Sequence, residues 1–293
     1  STENSTDKKN KKKTSAKAKK KKKKSGGIFW KLLFLIALAV FCFSMYQLVT
    51  IYLGYKQGVD EYHAVAEATT VQSSEPLEVV EEKKDEEGNL IIPEEEEITV
   101  NPPEVDFDAL KAINGDVVGW LELEAIPSIS YPITQGEDNE YYLHRTIKQT
   151  YNFAGSIFID SPNASDFSDC NTIIYGHNMK NGSIFGTLQY YLDKSYYEKH
   201  KTMSFDTLYK RYDYQIVAVG LSKITDESAD TFKYYDFLNA ASEKEFDNFK
   251  EKIKSLEVYD TGVKMKYGDK LITLSTCNSV EKNGRLFVIA KRN

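Results

Sequence analysis

A run of apolar side chains from Ile28 to Leu53 sets the first limit on this chain. Leu32–Tyr46 carries no charge, and Lys31 lies near enough to one end to bring its ammonium to water. About 20 such residues, coiled as a helix, span the hydrocarbon of a bilayer. A helix on a soluble protein has a polar face, and this run has none. Trp30 at one end and Tyr52 and Tyr55 at the other suit the two membrane interfaces. The run is long for a cleaved signal peptide, and no small-x-small site follows it. The expectation is a retained transmembrane anchor over 28–53.

Charge then orients the anchor. The whole chain carries −6, yet residues 1–31 hold 13 lysines against Glu3 and Asp7, a local charge of +11. Lysines flanking an apolar span stay in the cytoplasm, which places everything after Leu53 outside. Residues 1–27 have no apolar period and are expected to be disordered. Nucleic acid is not the expected partner, because no arginine or aromatic is interleaved with the lysines. Residues 54–103 read as a stalk. Tyr55–Thr70 has helical character, and Glu75–Glu97 places 11 acids against Lys83 and Lys84. Asn101-Pro102-Pro103 closes the stalk, so the globular domain is expected over 104–293.

That domain opens with Asp106, an N-cap for a short helix whose apolar face is Phe107, Leu110 and Ile113. Short strands follow, at Val117–Leu123, Ser130–Ile133, Ser156–Ile159, Thr172–Tyr175, Tyr214–Gly220, Leu271–Thr276 and Leu286–Ala290. Turn residues lie between them, a spacing that predicts a mainly β fold, a barrel or a sandwich. Two helices are expected to interrupt it: Ser183–Tyr197, and Ser242–Leu256 with the capping box Ser242-x-x-Glu245.

Three side chains carry chemistry. Cys277 ends an apolar strand, and Arg285 opens the next after the turn Asn283-Gly284. His177 also follows an apolar strand and a glycine. A thiolate attacks carbonyl carbon, and nearby positive charge favours the thiolate. An imidazole moves protons to and from the reacting amines. An arginine stays charged and can hold an oxyanion. Together they suit acyl transfer through a thioester. Two plainer readings stand beside this one: Cys277 as a buried strand residue, or as half of a disulfide with Cys170 in a non-catalytic binding module. The other histidines differ, with His63 in the stalk, His144 in an expected helix and His200 in a lysine-rich run. No ligand spacing for a metal and no phosphate-binding glycine loop occurs, so no metal or cofactor is expected.

Thr273-Leu274-Ser275-Thr276-Cys277 with Arg285, and Tyr175-Gly176-His177-Asn178-Met179 upstream, resemble the sortases of class B. Asp116–Trp120, Asp138–Leu143, Gly155–Asp160 and the helix before the cysteine strand resemble that class as well. The resemblance covers about 104–293. It implies an eight-stranded sortase barrel with N-terminal helices. It implies a cysteine transpeptidase that cleaves an Asn-Pro-x-Thr-type sorting signal of secreted proteins after Thr. The acyl group would pass to an amine of a lipid-linked peptidoglycan precursor, or to a lysine of a pilin. Cys277 would be the nucleophile, His177 the acid and base, and Arg285 the clamp on oxyanion or substrate. Asn139, Leu143 and Ser275 would lie along the sorting peptide. Asn278 departs from the pattern, standing where relatives often have an acid.

Overall fold

The computed structural model describes residues 26–70, 105–123, 129–223, 232–278 and 283–293. The expected disordered tail and the acidic part of the stalk lie outside these.

Helix α1 (Gly26–Thr69) contains the apolar run and is long and apolar enough to cross a membrane. It continues 16 residues beyond Leu53. Its last part belongs to the compact unit Ile51–Asn293, where Tyr62 and Val65 are buried. The stretch from Gly54 to Thr69, expected as the start of the stalk, thus lies in the same compact unit as the barrel. Tyr62 packs edge-on against Tyr131, with ring centroids 4.7 Å apart. Helix α2 (Phe107–Ile113) is capped as the sequence predicts, the Asp106 carboxylate accepting from the Ala109 N–H at 2.9 Å. Val65, Leu110, Val117, Trp120 and Ile147 share one small core.

Eight strands follow: β1 (Val117–Glu122), β2 (Ser130–Thr134), β3 (Phe158–Ile159), β4 (Asn171–Tyr175), β5 (Thr202–Thr207), β6 (Arg211–Lys223), β7 (Leu271–Cys277) and β8 (Gly284–Arg292). They close into a barrel in the order β1-β2-β3-β4-β7-β8-β6-β5. Closure leaves no open sheet edge. The strand β5 was not among those expected, since its polar residues and its lysine-rich flank hide a strand that pairs with both β1 and β6. The segment expected as one helix over 183–197 is instead a 3-10 helix (Gly186–Leu192) followed by a short α3 (Lys194–Lys199). Tyr190, Tyr191, Tyr196 and Tyr197 are buried there, so tertiary packing of bulky rings outweighs a continuous α-helical ladder.

Strand β8 shows how the barrel is filled. Leu286, Val288 and Ala290 point into the main core, whereas Phe287 and Ile289 join a second core on the outer face. Helix α4 (Glu243–Lys254) covers that outer face with Phe246, Phe249 and Ile253. Each such side chain contributes about 1.5–3 kcal/mol when taken from water. A strand buried on both faces loses the alternation of polar and apolar residues. A register shift between Ile216 and Ala218 puts Val217 and Ala218 in the same outer core, as a bulge does. The N-cap of α4 is Ser242, as expected, while the Glu245 carboxylate accepts from the Ala241 N–H at 2.9 Å, one residue earlier than a capping box requires.

Candidate active site

Strands β4 and β7 run parallel, with Tyr175 level with Ser275. His177 and Cys277 each lie two residues beyond that pair, so both emerge at the same end of the barrel. Strands β7 and β8 run antiparallel, and Cys277 is the register partner of Arg285. Three adjacent strands therefore deliver the thiol, the imidazole and the guanidinium to one place.

Short contacts hold the two strand ends together. Gly176 N–H donates to the Ser275 carbonyl at 3.3 Å, and the Thr276 hydroxyl donates to the Gly176 carbonyl at 2.7 Å. Asn178 Nδ2 donates to the Cys277 carbonyl at 2.9 Å, and Asn178 Oδ1 accepts from Gln189 Nε2 at 3.4 Å. Gly176 has no room for a side chain: a Cβ there would meet the Phe185 ring at 2.7 Å and Ile184 Cγ2 at 2.9 Å. Cys277 is exposed, although every residue of β7 before it is buried. The sequence reading that made it a buried strand residue is thereby corrected.

His177 is half-buried, and its Nε2 lies 2.9 Å from the Leu143 carbonyl. A carbonyl only accepts, so Nε2 carries the proton and Nδ1 holds the lone pair. Burial pulls the His177 pKa below its usual value, and the nearby His144 and Arg285 pull the same way, against the bond to Leu143. The His144 ring stacks on that of His177, with centroids 6.0 Å apart and 28° between planes. Arg285 is half-buried, and its Nη1 donates to the Gly284 carbonyl at 3.2 Å.

The three residues expected along a peptide occupy different settings. Leu143 is half-buried in the 3-10 helix Tyr142–His144 and faces His177 through its backbone carbonyl. Ser275 is 2% exposed, and its hydroxyl shares a 2.7 Å hydrogen bond with the Tyr234 hydroxyl. Asn139 joins two segments, donating to Asp160 Oδ1 at 2.5 Å and accepting from the Ser161 N–H at 2.8 Å. Burial raises the Asp160 carboxyl, and burial with the Asp160 charge drives the Tyr175 phenol far above its usual range. The sequence reading missed Asn178, Gln189 and Tyr234. Asn178 was within reach of it, being next to His177; Tyr234 carries no local signal at all.

Cys170 and Cys277 are both free thiols. Cys170 precedes β4 at the end where β7 begins, and Cys277 ends β7. Seven residues of strand separate those levels, roughly 23 Å at about 3.3 Å per residue. A disulfide needs Cα atoms within about 7 Å. The expected alternative of a Cys170–Cys277 bridge is excluded.

The family profile for the sortase domain matches residues 121–293. Sortase B of Listeria monocytogenes is 40% identical over 184 residues, spanning 62% of this chain and 72% of that protein. The structure of sortase B from Bacillus anthracis in complex with AAEK1 superposes with a TM-score of 0.62 at 30% identity, over 83% of this chain and 99% of the other. A Staphylococcus aureus sortase B–substrate complex gives 0.57 at 32% identity, over 64% and 84%. This chain belongs to the sortase family, in class B. As a class B sortase it is a cysteine transpeptidase of the cell-wall sorting type, acting on sorting-signal substrates and amine nucleophiles. Its closed eight-stranded barrel is the fold those structures share.

Proposed function

We propose that Cys277, His177 and Arg285 carry the transpeptidation, on an Asn-Pro-x-Thr-type sorting signal cut after Thr. The observation that supports this is the strand register, which sets an exposed thiol beside an arginine and level with a histidine. The Cys277 thiolate attacks the Thr carbonyl carbon. Arg285 faces the negative charge that develops on the carbonyl oxygen. His177 gives a proton from Nδ1 to the leaving amine, while Nε2–H stays on the Leu143 carbonyl. That tether keeps the ring from turning between steps. The thioester then passes to the amine of a lipid-linked peptidoglycan precursor, whose proton His177 takes.

The lowered pKa of His177 has a cost for this chemistry. The imidazolium that must donate is a minor form at neutral pH. The Cys277 carbonyl bonded to Asn178 and the Thr276 hydroxyl bonded to Gly176 fix the two strand ends against each other. Catalysis by a small active fraction depends on such fixed geometry. Asn139 and Leu143 line the peptide's path in this proposal, and Ser275, bonded to the buried Tyr234, supports that path from beneath. The domain works outside the cell, the lysine-rich N-terminus stays in the cytoplasm, and α1 is the anchor between them.

The test uses the full chain in detergent and a quenched peptide carrying Asn-Pro-x-Thr. Cleavage after Thr that disappears in Cys277→Ala supports the proposal. Cleavage elsewhere in the peptide, or cleavage that survives in Cys277→Ala, rejects it.

A further inference from the structure

Tyr151 is 73% exposed, and its ring extends an aromatic row that begins at the active site. The His177 ring stacks on His144, and His144 faces Tyr151 with centroids 6.4 Å apart and 36° between planes. His144 is exposed as well. The turn that carries Tyr151 is firmly tied. Thr146 N–H donates to the Thr150 carbonyl at 2.9 Å, and the hydroxyls of Thr146 and Thr150 meet at 2.8 Å. Glu61 on α1 accepts from the Lys148 N–H at 2.9 Å and from the Thr150 hydroxyl at 3.5 Å. Arg145 and Tyr151 pair as an isolated bridge. This ordered turn thus presents two rings to solvent, next to the catalytic imidazole, and neither ring adds to a core.

The acceptor amine supplies a reason for that arrangement. It must reach the thioester with its nitrogen near His177, because His177 takes its proton. Arg285 arrives from the opposite side of Cys277, on β8. The acceptor's chain therefore approaches along the border of the His177 ring, which is His144 and then Tyr151. An aromatic face gives an apolar bed to the chain that follows such an amine.

We propose that His144 and Tyr151 form the acceptor subsite, where a primary-amine peptide lays its chain over the Tyr151 ring and brings its amine to His177. This rests on the thioester reading above. The amine, brought to His177 as an ammonium, loses one proton to water. The neutral nitrogen attacks the thioester carbonyl carbon, the C–S bond breaks, and sulfur leaves as the Cys277 thiolate. The second proton passes from the nitrogen to His177 Nδ1, so an amide, a thiolate and an imidazolium result.

The experiment compares two acceptors in one reaction at pH 7.5, using the full chain in detergent with an Asn-Pro-x-Thr peptide. Triglycine carries an ammonium, its amine having a pKa of about 8. Hydroxylamine is neutral at that pH and has no chain to lie on the rings. A chain packed on an exposed ring is worth about a two- to fivefold change in binding. The ratio of triglycine product to hydroxamate is expected to fall about two- to fivefold in Tyr151→Ala and to hold in Tyr151→Phe, which keeps the ring. An unchanged ratio in Tyr151→Ala overturns the subsite, and so does an equal fall in Tyr151→Phe. A wild-type enzyme that forms hydroxamate but gives the same ratio as Tyr151→Ala refutes the subsite alone. A wild-type enzyme that forms no hydroxamate refutes the thioester reading and the subsite with it.

Discussion

The buried hydroxyl pair beneath Cys277 gives the sharpest prediction about how this site is built. Ser275 Oγ and Tyr234 OH share one hydrogen bond of 2.7 Å, and both residues are buried. Tyr234→Phe deletes one hydroxyl and strands the other away from water. An unsatisfied buried hydroxyl costs about 1–3 kcal/mol. Ser275→Ala strands the Tyr234 hydroxyl at the same cost. Removing both leaves no orphan, so the double variant is expected to lose no more than either single one. On a domain of this size, 1 kcal/mol corresponds to about 2–4 °C in Tm. The assay is a double-mutant cycle by thermal or urea unfolding of the full chain in detergent. Strictly additive losses would show that the two hydroxyls do not depend on each other. Peptide cleavage measured on the same variants reports whether Ser275 also acts on substrate: a double variant restored in stability but poor in KM places Ser275 along the peptide.

Three other outcomes follow from the same geometry. Gly176→Ala drives a methyl against Phe185 and Ile184, and is expected to cost about 1–3 kcal/mol and to lower kcat by moving His177. Unfolding and cleavage assays read both, and wild-type values for each would show that the β4 end is looser than described. Arg285→Lys keeps the charge but loses the planar fork, so kcat/KM is expected to fall about 10- to 100-fold at unchanged Tm. The pH dependence of stability has a definite sign. Burial holds the folded His177 pKa below that of the unfolded chain, so its neutral form is favoured above about pH 6.5 and stability is lost as pH falls below that. The drop in Tm between pH 7.5 and 5.5 is expected to be smaller in His177→Gln. His200 shifts in the same direction but is present in both proteins and cancels.

Local signals in the sequence were legible where one residue decides the structure. Asp106 and Ser242 cap their helices because their side chains reach the free N–H groups of the first turn. Cys277 and Arg285 could be read as facing strand ends because they are close in sequence with Asn283-Gly284 between them. The parallel pairing of β4 with β7 could not be read, since no local pattern encodes which distant strands meet. That pairing brings His177 beside Cys277 and carries Cys170 to the far end. β5 stayed hidden for a related reason, because its partners β1 and β6 supply the hydrogen bonds that its polar residues do not advertise. The chain from Tyr55 to Thr69 looked like a spacer with helical character, yet Tyr62 and Val65 find cores formed by residues far along the sequence. Ser275 and Asn139 read as peptide contacts, whereas their polar atoms are already engaged with Tyr234, Asp160 and Ser161.

In the proposed reaction Cys277 carries the acyl group. The most direct test mixes the full chain with an Asn-Pro-x-Thr peptide in the absence of any added amine, quenches in acid and measures the intact mass. The expected result is an adduct equal to the peptide fragment ending at Thr, lost on treatment with hydroxylamine and absent from Cys277→Ala. Cleavage of the peptide by Cys277→Ala, or an adduct on that variant, would contradict it.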